Sequence, residues 1–248
     1  MSTLKILIDK SHLEQIKELS AEFNDVNYMY FYIESNILDF ELNDYDILIL
    51  FNPTCYAPDE KGFTGKLNDE EKKAIQTFVK KGGWVIFTTG FPVEDNPNRE
   101  DTLNFLKDLL KIKKIIDGII FTTNEKDYKG SKKNILCTPA SEEYSKDLKN
   151  VLAYEANLFI PEEQSEIILK GPKTVSFQSE TKVWENIHRP PIVIKRKNSK
   201  GMVFGIASTQ MFLPITKNKT VPVNNKQFLF NIFNSLLKEK EHKELEKV

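Results

Sequence analysis

The sequence predicts a three-layer α/β fold around a mainly parallel sheet, and three observations predict it. Short apolar runs alternate with helical periodicities along most of the 248 residues, as in sheets whose strands are joined by helices. The run WVIF, Trp84–Phe87, is almost purely apolar, as expected of a strand covered on both faces. Between Leu67 and Gly90 the chain spells a whole helix, stop and strand.

That stretch is the most specific. Asn68 followed by Glu71 reads as a capping box. Asp69, Glu70 and Glu71 place negative charge at the positive end of the helix dipole, and Lys80 and Lys81 sit at the other end. Leu67, Ala74, Ile75, Phe78 and Val79 form one apolar stripe. Gly82 suits the left-handed residue that closes a helix.

Taken in order, Leu4–Ile8 is the first strand. Ser11 with Glu14 opens a helix to about Phe23. The aromatic run NYMYFYI, Asn27–Ile33, is the second strand. A short helical connection through Ile37, Leu38, Phe40 and Leu42 follows, then a buried strand Ile47–Phe51. The loops Asn52–Lys66 and Gly90–Asn98, with their Pro and Gly, flank the helix–strand unit. A helix runs from about Arg99 to Leu110, and Gly118–Phe121 is another strand. From 122 to 174 the periodicity weakens, so an irregular insertion is expected, with one helix within Ser141–Leu152 and short strands within Leu158–Leu169. Thr174–Phe177, Pro191–Ile194 and Met202–Ala207 read as later strands. A helix spans about Asn224–Leu237, and 238–248 is a charged helical tail. The expected organisation is a single α/β domain over 1–237.

Composition excludes several classes of function. The formal net charge is −1, and 29% of residues are charged, so no global field recruits nucleic acid or an anionic membrane. The arginines are Arg99, Arg189 and Arg196, too few for several bidentate phosphate clamps. Cys55 and Cys137 lie far apart and in no CxxC pattern, so reduced thiols in a cytoplasmic protein are expected. No window reaches the roughly 18 apolar residues of a membrane span.

In open α/β sheets, ligands bind beyond the carboxyl ends of the strands. The polar residues expected there are Asp9, Ser11 and His12 after the first strand, and Asn52 after the third. Thr88, Thr89 and Gly90 follow the fourth, and Ser208 follows the last. These form the candidate ligand-binding set. Ser11 also reads as a helix cap, and the two threonines as β-branched strand residues. There is no G-x-S-x-G elbow, no glycine-rich phosphate loop and no HxxxH pair, so no catalytic residue, cofactor or metal is assigned.

The segments ILIDKSH, LNDEEKKAIQTFVKKGGWVIF, NREDTLNFLKDLLKI and GMVFGIASTQMF leading to NNKQFLFNIF together carry a resemblance. They resemble the class I glutamine amidotransferase-like superfamily, specifically its non-catalytic GIFT-type branch. That branch includes the N-terminal domain of an intraflagellar-transport protein and related prokaryotic domains. The resemblance covers about Leu4–Phe121 and Gly201–Leu237. It implies a flavodoxin-like sandwich that binds sugars or proteins. Catalytic members carry a cysteine at a strand–helix elbow and a later His-x-Glu pair. Here Thr88-Thr89-Gly90-Phe91-Pro92 stands at the elbow and His188 precedes Arg189-Pro190. The expected function is therefore a non-enzymatic binding or scaffold domain that recognises a protein partner or a small polar or sugar ligand at the carboxyl edge of the sheet. The alternative is a hydrolase acting on a small polar or carbohydrate substrate through Asp9 and His12.

Overall fold

The structure is a computed structural model that describes residues 2–10, 23–53, 67–90, 99–179, 181–212 and 222–245, less the side chains of 243 and 244. It is mixed α/β. Among the described residues ten strands form one sheet in the order β2-β1-β3-β4-β15-β14-β11-β8-β7, with β9 paired to β8. Here β1 is Leu4–Asp9, β2 Tyr28–Ile33, β3 Ile47–Phe51 and β4 Trp84–Thr88. Further along are β7 (Tyr128–Lys129), β8 (Ser131–Pro139), β9 (Val151–Tyr154), β11 (Glu166–Lys170), β14 (Pro191–Asn198) and β15 (Gly201–Ile206).

The strands from β2 to β15 pair in parallel, and β3, β4 and β15 are buried at every position. Burial on both faces is why they read as unbroken apolar runs. From β14 outward the pairing is antiparallel. The sheet is thus mixed, where a mainly parallel one was expected.

Helix α1 (Asp69–Lys81) has its capping box: Glu71 N donates to the Asn68 side chain and Asn68 N to Glu71, both at 2.9 Å. Gly82 closes it at φ 113°. α2 is Arg99–Leu110, and α3 is Val223–Leu245, so the charged tail continues that helix to Leu245. The expected helix from Ser11 lies outside the described residues apart from its end at Phe23.

Alternation along β15 shows which layer each helix occupies. A Cβ at Gly201 would meet Val79 of α1, and one at Gly205 would meet Leu110 of α2. Phe204, between them, packs edge-on against Tyr144, whose carbonyl accepts from Asn231 of α3. Successive strand residues face opposite ways, so α1 and α2 cover one face and α3 the other.

The segment 122–174 is more regular than expected. It holds β7, β8, β9, β10 (Leu158–Ile160) and β11. In place of the helix expected in Ser141–Leu152 there is a short 3-10 turn at Glu142–Tyr144, followed by β9. Tyr144, fully buried beneath α3, fixes that turn. Two small sheets stand beside the large one. β10 pairs with β5 (Lys114–Ile116), and β6 (Ile119–Phe121), β12 (Thr174–Gln178) and β13 (Val183–His188) form the other.

The aromatic strand β2 makes the fold sensitive to alkali. Tyr28 packs on Phe230 and Phe233 of α3 and donates to Asn234 at 2.8 Å. Burial, with Asp25 nearby, raises its pKa. Burial also raises that of Tyr30, reinforced by Tyr28, Tyr32 and Asp25. An unfolded tyrosine ionises near pH 10, while these two stay neutral in the fold. Their contribution is therefore intact below about pH 10 and lost as pH rises above it. Stability against pH, followed by urea unfolding, should be level towards pH 10 and then fall, with a shallower fall in Tyr28→Phe. The same slope in wild type and variant would refute this.

Candidate functional site

The carboxyl ends of β3, β4 and β15 meet in a hydrogen-bonded cluster. Register places Phe51 beside Thr88, and Thr88 beside Ile206. The chain leaves β3 at Asn52 with φ 40°, a left-handed conformation that asparagine tolerates better than most side chains. Asn52 N donates to the Thr88 carbonyl at 3.1 Å and to its hydroxyl at 3.0 Å. Its side-chain amide donates to the Gly90 carbonyl at 2.8 Å.

From Thr88 the chain of bonds runs on. Its hydroxyl lies 2.8 Å from that of Thr209, which donates to the Thr89 carbonyl at 3.2 Å. Because Thr88 Oγ1 accepts from Asn52 and Thr209 spends its proton on Thr89, Thr88 is the donor in the pair. The order Asn52 N–H, Thr88 O–H, Thr209 O–H, Thr89 C=O lets each bond polarise the next. Ser208 is turned elsewhere: its hydroxyl donates to the Tyr154 carbonyl at 2.6 Å and accepts from Tyr154 N at 3.1 Å. Gly90 sits at φ 126°, where a Cβ would come 3.1 Å from the Ala207 carbonyl and 3.3 Å from that of Glu155. Only glycine fits this crossing without strain.

The structure therefore brings together Asn52, Thr88, Thr89 and Gly90 of the expected set, with Ser208 alongside. All five are buried, and the four with side chains are no more than 1% exposed. Asp9 ends β1, the neighbour of β3, and is also 1% exposed. Ser11, His12 and Cys55 lie outside the described residues. His188 ends β13 and is exposed. Cys137, on β8, is fully buried, and burial raises its thiol pKa against a weaker opposing bond from Ala153. Its thiolate is disfavoured as a nucleophile.

Two contributors were missed in the sequence: Tyr154 and Asn157. Asn157 N donates to the Ala207 carbonyl at 2.8 Å, which brings the segment after β9 against the sheet end. Among the described residues, the amide of Asn157 and the hydroxyls of Thr89 and Thr102 are buried without a hydrogen-bond partner. Arg99 opens α2 and pairs with Asp117 through two hydrogen bonds, one of 2.7 Å. Among the described residues no group of three or more His, Cys, Asp or Glu side chains is placed to hold a metal ion.

A second charged cluster lies on the α3 face. Lys195 donates to Tyr144 at 2.8 Å and sits 3.5 Å from both Glu143 and Glu166. Burial alone would lower the Lys195 pKa, but the Tyr144 bond and the two carboxylates outweigh it and raise it. Burial raises that of Tyr144. A lysine held as a cation and a tyrosine held as a phenol are not poised for proton abstraction. The cluster ties β14 and β11 to the turn beneath α3.

Comparison with known proteins shows the fold alone. No family model and no curated protein sequence matches the chain. The mmIFT52 N-terminal domain superposes with a TM-score of 0.67 at 15% identity, covering 94% of this chain and 96% of that one. A cytoplasmic protein from Salmonella typhimurium gives 0.55 at 11% identity, with 93% and 98% covered. A putative ThuA-like protein from Bacteroides uniformis gives 0.55 at 14%, with 95% and 92% covered. These neighbours share the fold of this chain over nearly its whole length. Among the described residues no helix is long and apolar enough to cross a membrane.

Proposed function

We propose that this chain, built on the fold it shares with the mmIFT52 N-terminal domain and a ThuA-like protein, is a non-enzymatic binding or scaffold domain for a protein partner. One observation carries the reading. At the sheet end where ligands of α/β proteins bind, the hydroxyls of Thr88, Thr209 and Ser208 and the amide of Asn52 are committed to backbone or to one another. Buried and bonded in this way, they hold three strand ends in register. A catalytic group must instead come within hydrogen-bond reach of a substrate.

Two measurements test this together. The chain is assayed against nitrophenyl glycosides, esters and phosphates, and Thr88→Val is compared with it by thermal melting. Losing the Thr88 hydroxyl leaves Asn52 N with its bond to the Thr88 carbonyl alone and removes the donor to Thr209, which should cost about 0.5–1.5 kcal/mol, seen as a lower Tm, with turnover at the buffer rate in both proteins. Turnover that vanishes in Thr88→Val, at a temperature where both are folded, would contradict the proposal.

A further inference from the structure

A groove of about 740 Å³ runs between α2 and the segment from β5 into β6. Its helix wall is Arg99, Glu100, Leu103, Asn104 and Lys107, one face of α2. Its other wall includes every residue from Lys114 to Ile119. That continuity is informative. Side chains of a strand alternate between faces, so a surface lined by all three residues of β5, Lys114–Ile116, takes in the strand's edge. β5 pairs with β10 along one edge and with no second strand among the described residues. The groove thus runs along the open edge of β5, with a helix opposite. This strand-and-helix arrangement suits an extended peptide added as a new strand.

The lining gives the chemistry of the occupant. Leu103, Ile116 and Ile119 supply apolar surface. Arg99 is matched by Asp117, Lys107 by Asp108 at 2.9 Å and Lys133 by Glu155 at 3.7 Å. Lys114, on the strand wall, makes no ion pair among the described residues, and neither does Glu100 on the helix wall. We propose that this groove docks an extended peptide of a protein partner, paired to β5, with an apolar residue over Leu103 and Ile116 and an acidic residue at Lys114. The proposal rests on reading the chain as a binding domain.

The probe is a phage-displayed library of random seven-residue peptides selected on the whole chain, with the selected peptides synthesised and titrated by fluorescence anisotropy. Three substitutions at exposed groove positions interrogate the site, each checked by an unchanged melting curve. Asn104→Trp fills the groove and should weaken binding at least about tenfold. Lys114→Glu should weaken acidic peptides and Glu100→Lys should strengthen them, both effects shrinking in high salt. The amides of β5 that point to its open edge should gain protection from hydrogen exchange on binding. Failure to select any peptide, or selection of peptides whose affinity Asn104→Trp leaves unchanged, would overturn the proposal. Turnover in the substrate assay would instead overturn the functional reading and leave this result standing, so the two failures are distinguishable.

Discussion

Asn225→Leu is expected to lower stability by about 3–5 kcal/mol, because it strands three backbone groups of buried residues. Asn225 is fully buried in the first turns of α3. Its side-chain oxygen accepts from Leu152 N at 3.0 Å, and its amide donates to the carbonyls of Leu152 at 2.7 Å and Met211 at 2.8 Å. One side chain thereby joins α3 to β9 and to the turn that follows β15. Leucine has similar volume, so the core stays filled and the loss reads hydrogen bonding. Urea unfolding measures it: the midpoint should fall with an unchanged slope. A loss under about 1 kcal/mol would mean that the three groups find other partners.

Gly201→Ala should cost about 3 kcal/mol or more, by a different route. A methyl group there would stand 2.2 Å from the Gly83 carbonyl oxygen and 2.5 Å from that of Val79. Both are backbone atoms at the end of α1, and β15 cannot retreat because it is paired to β4 on one side and β14 on the other. Relief requires α1 to lift from the sheet. Thermal melting should show a large fall in Tm, and exchange protection should fall in α1 before it does in α3, which packs on the opposite face. An unchanged Tm would show that α1 docks more loosely than the contact implies.

The parallel half of the fold was legible because its signals are local and agree with one another. In 67–90, the cap, the charge asymmetry, the apolar stripe, the left-handed glycine and the buried strand all specify one helix and one strand, and all are present. The antiparallel half was legible only in places. β8 begins with the exposed residues Ser131, Lys132 and Lys133, and β9, β10 and β5 have three or four residues each. Alternation over so few positions does not stand out from loop composition. The register of these strands is set by distant partners such as Asn225 and Tyr144, which no local window contains.

The site shows the same division. Asn52, Thr88, Thr89, Gly90 and Ser208 were placed at the sheet end by strand order alone, and they are found there. What strand order does not convey is how their hydrogen-bonding capacity is used. Ser208 pairs with Tyr154 across 54 residues, and Thr88 with Thr209 across 121. Polar residues at strand ends read as ligand-binding when their mutual bonds are unknown. In the fold, the bonds of Asn52, Thr88, Ser208 and Thr209 tie the strand ends together.

The claim that this is a binding domain is tested most directly by the size at which the native chain travels in its own extract. Gel filtration with light scattering on gently lysed cells, probed for the chain, should place it in a complex well above its 28.7 kDa, with a partner at fixed stoichiometry that survives repeated passage. Elution of all the protein at monomer mass, with no partner at any salt concentration, would contradict the account.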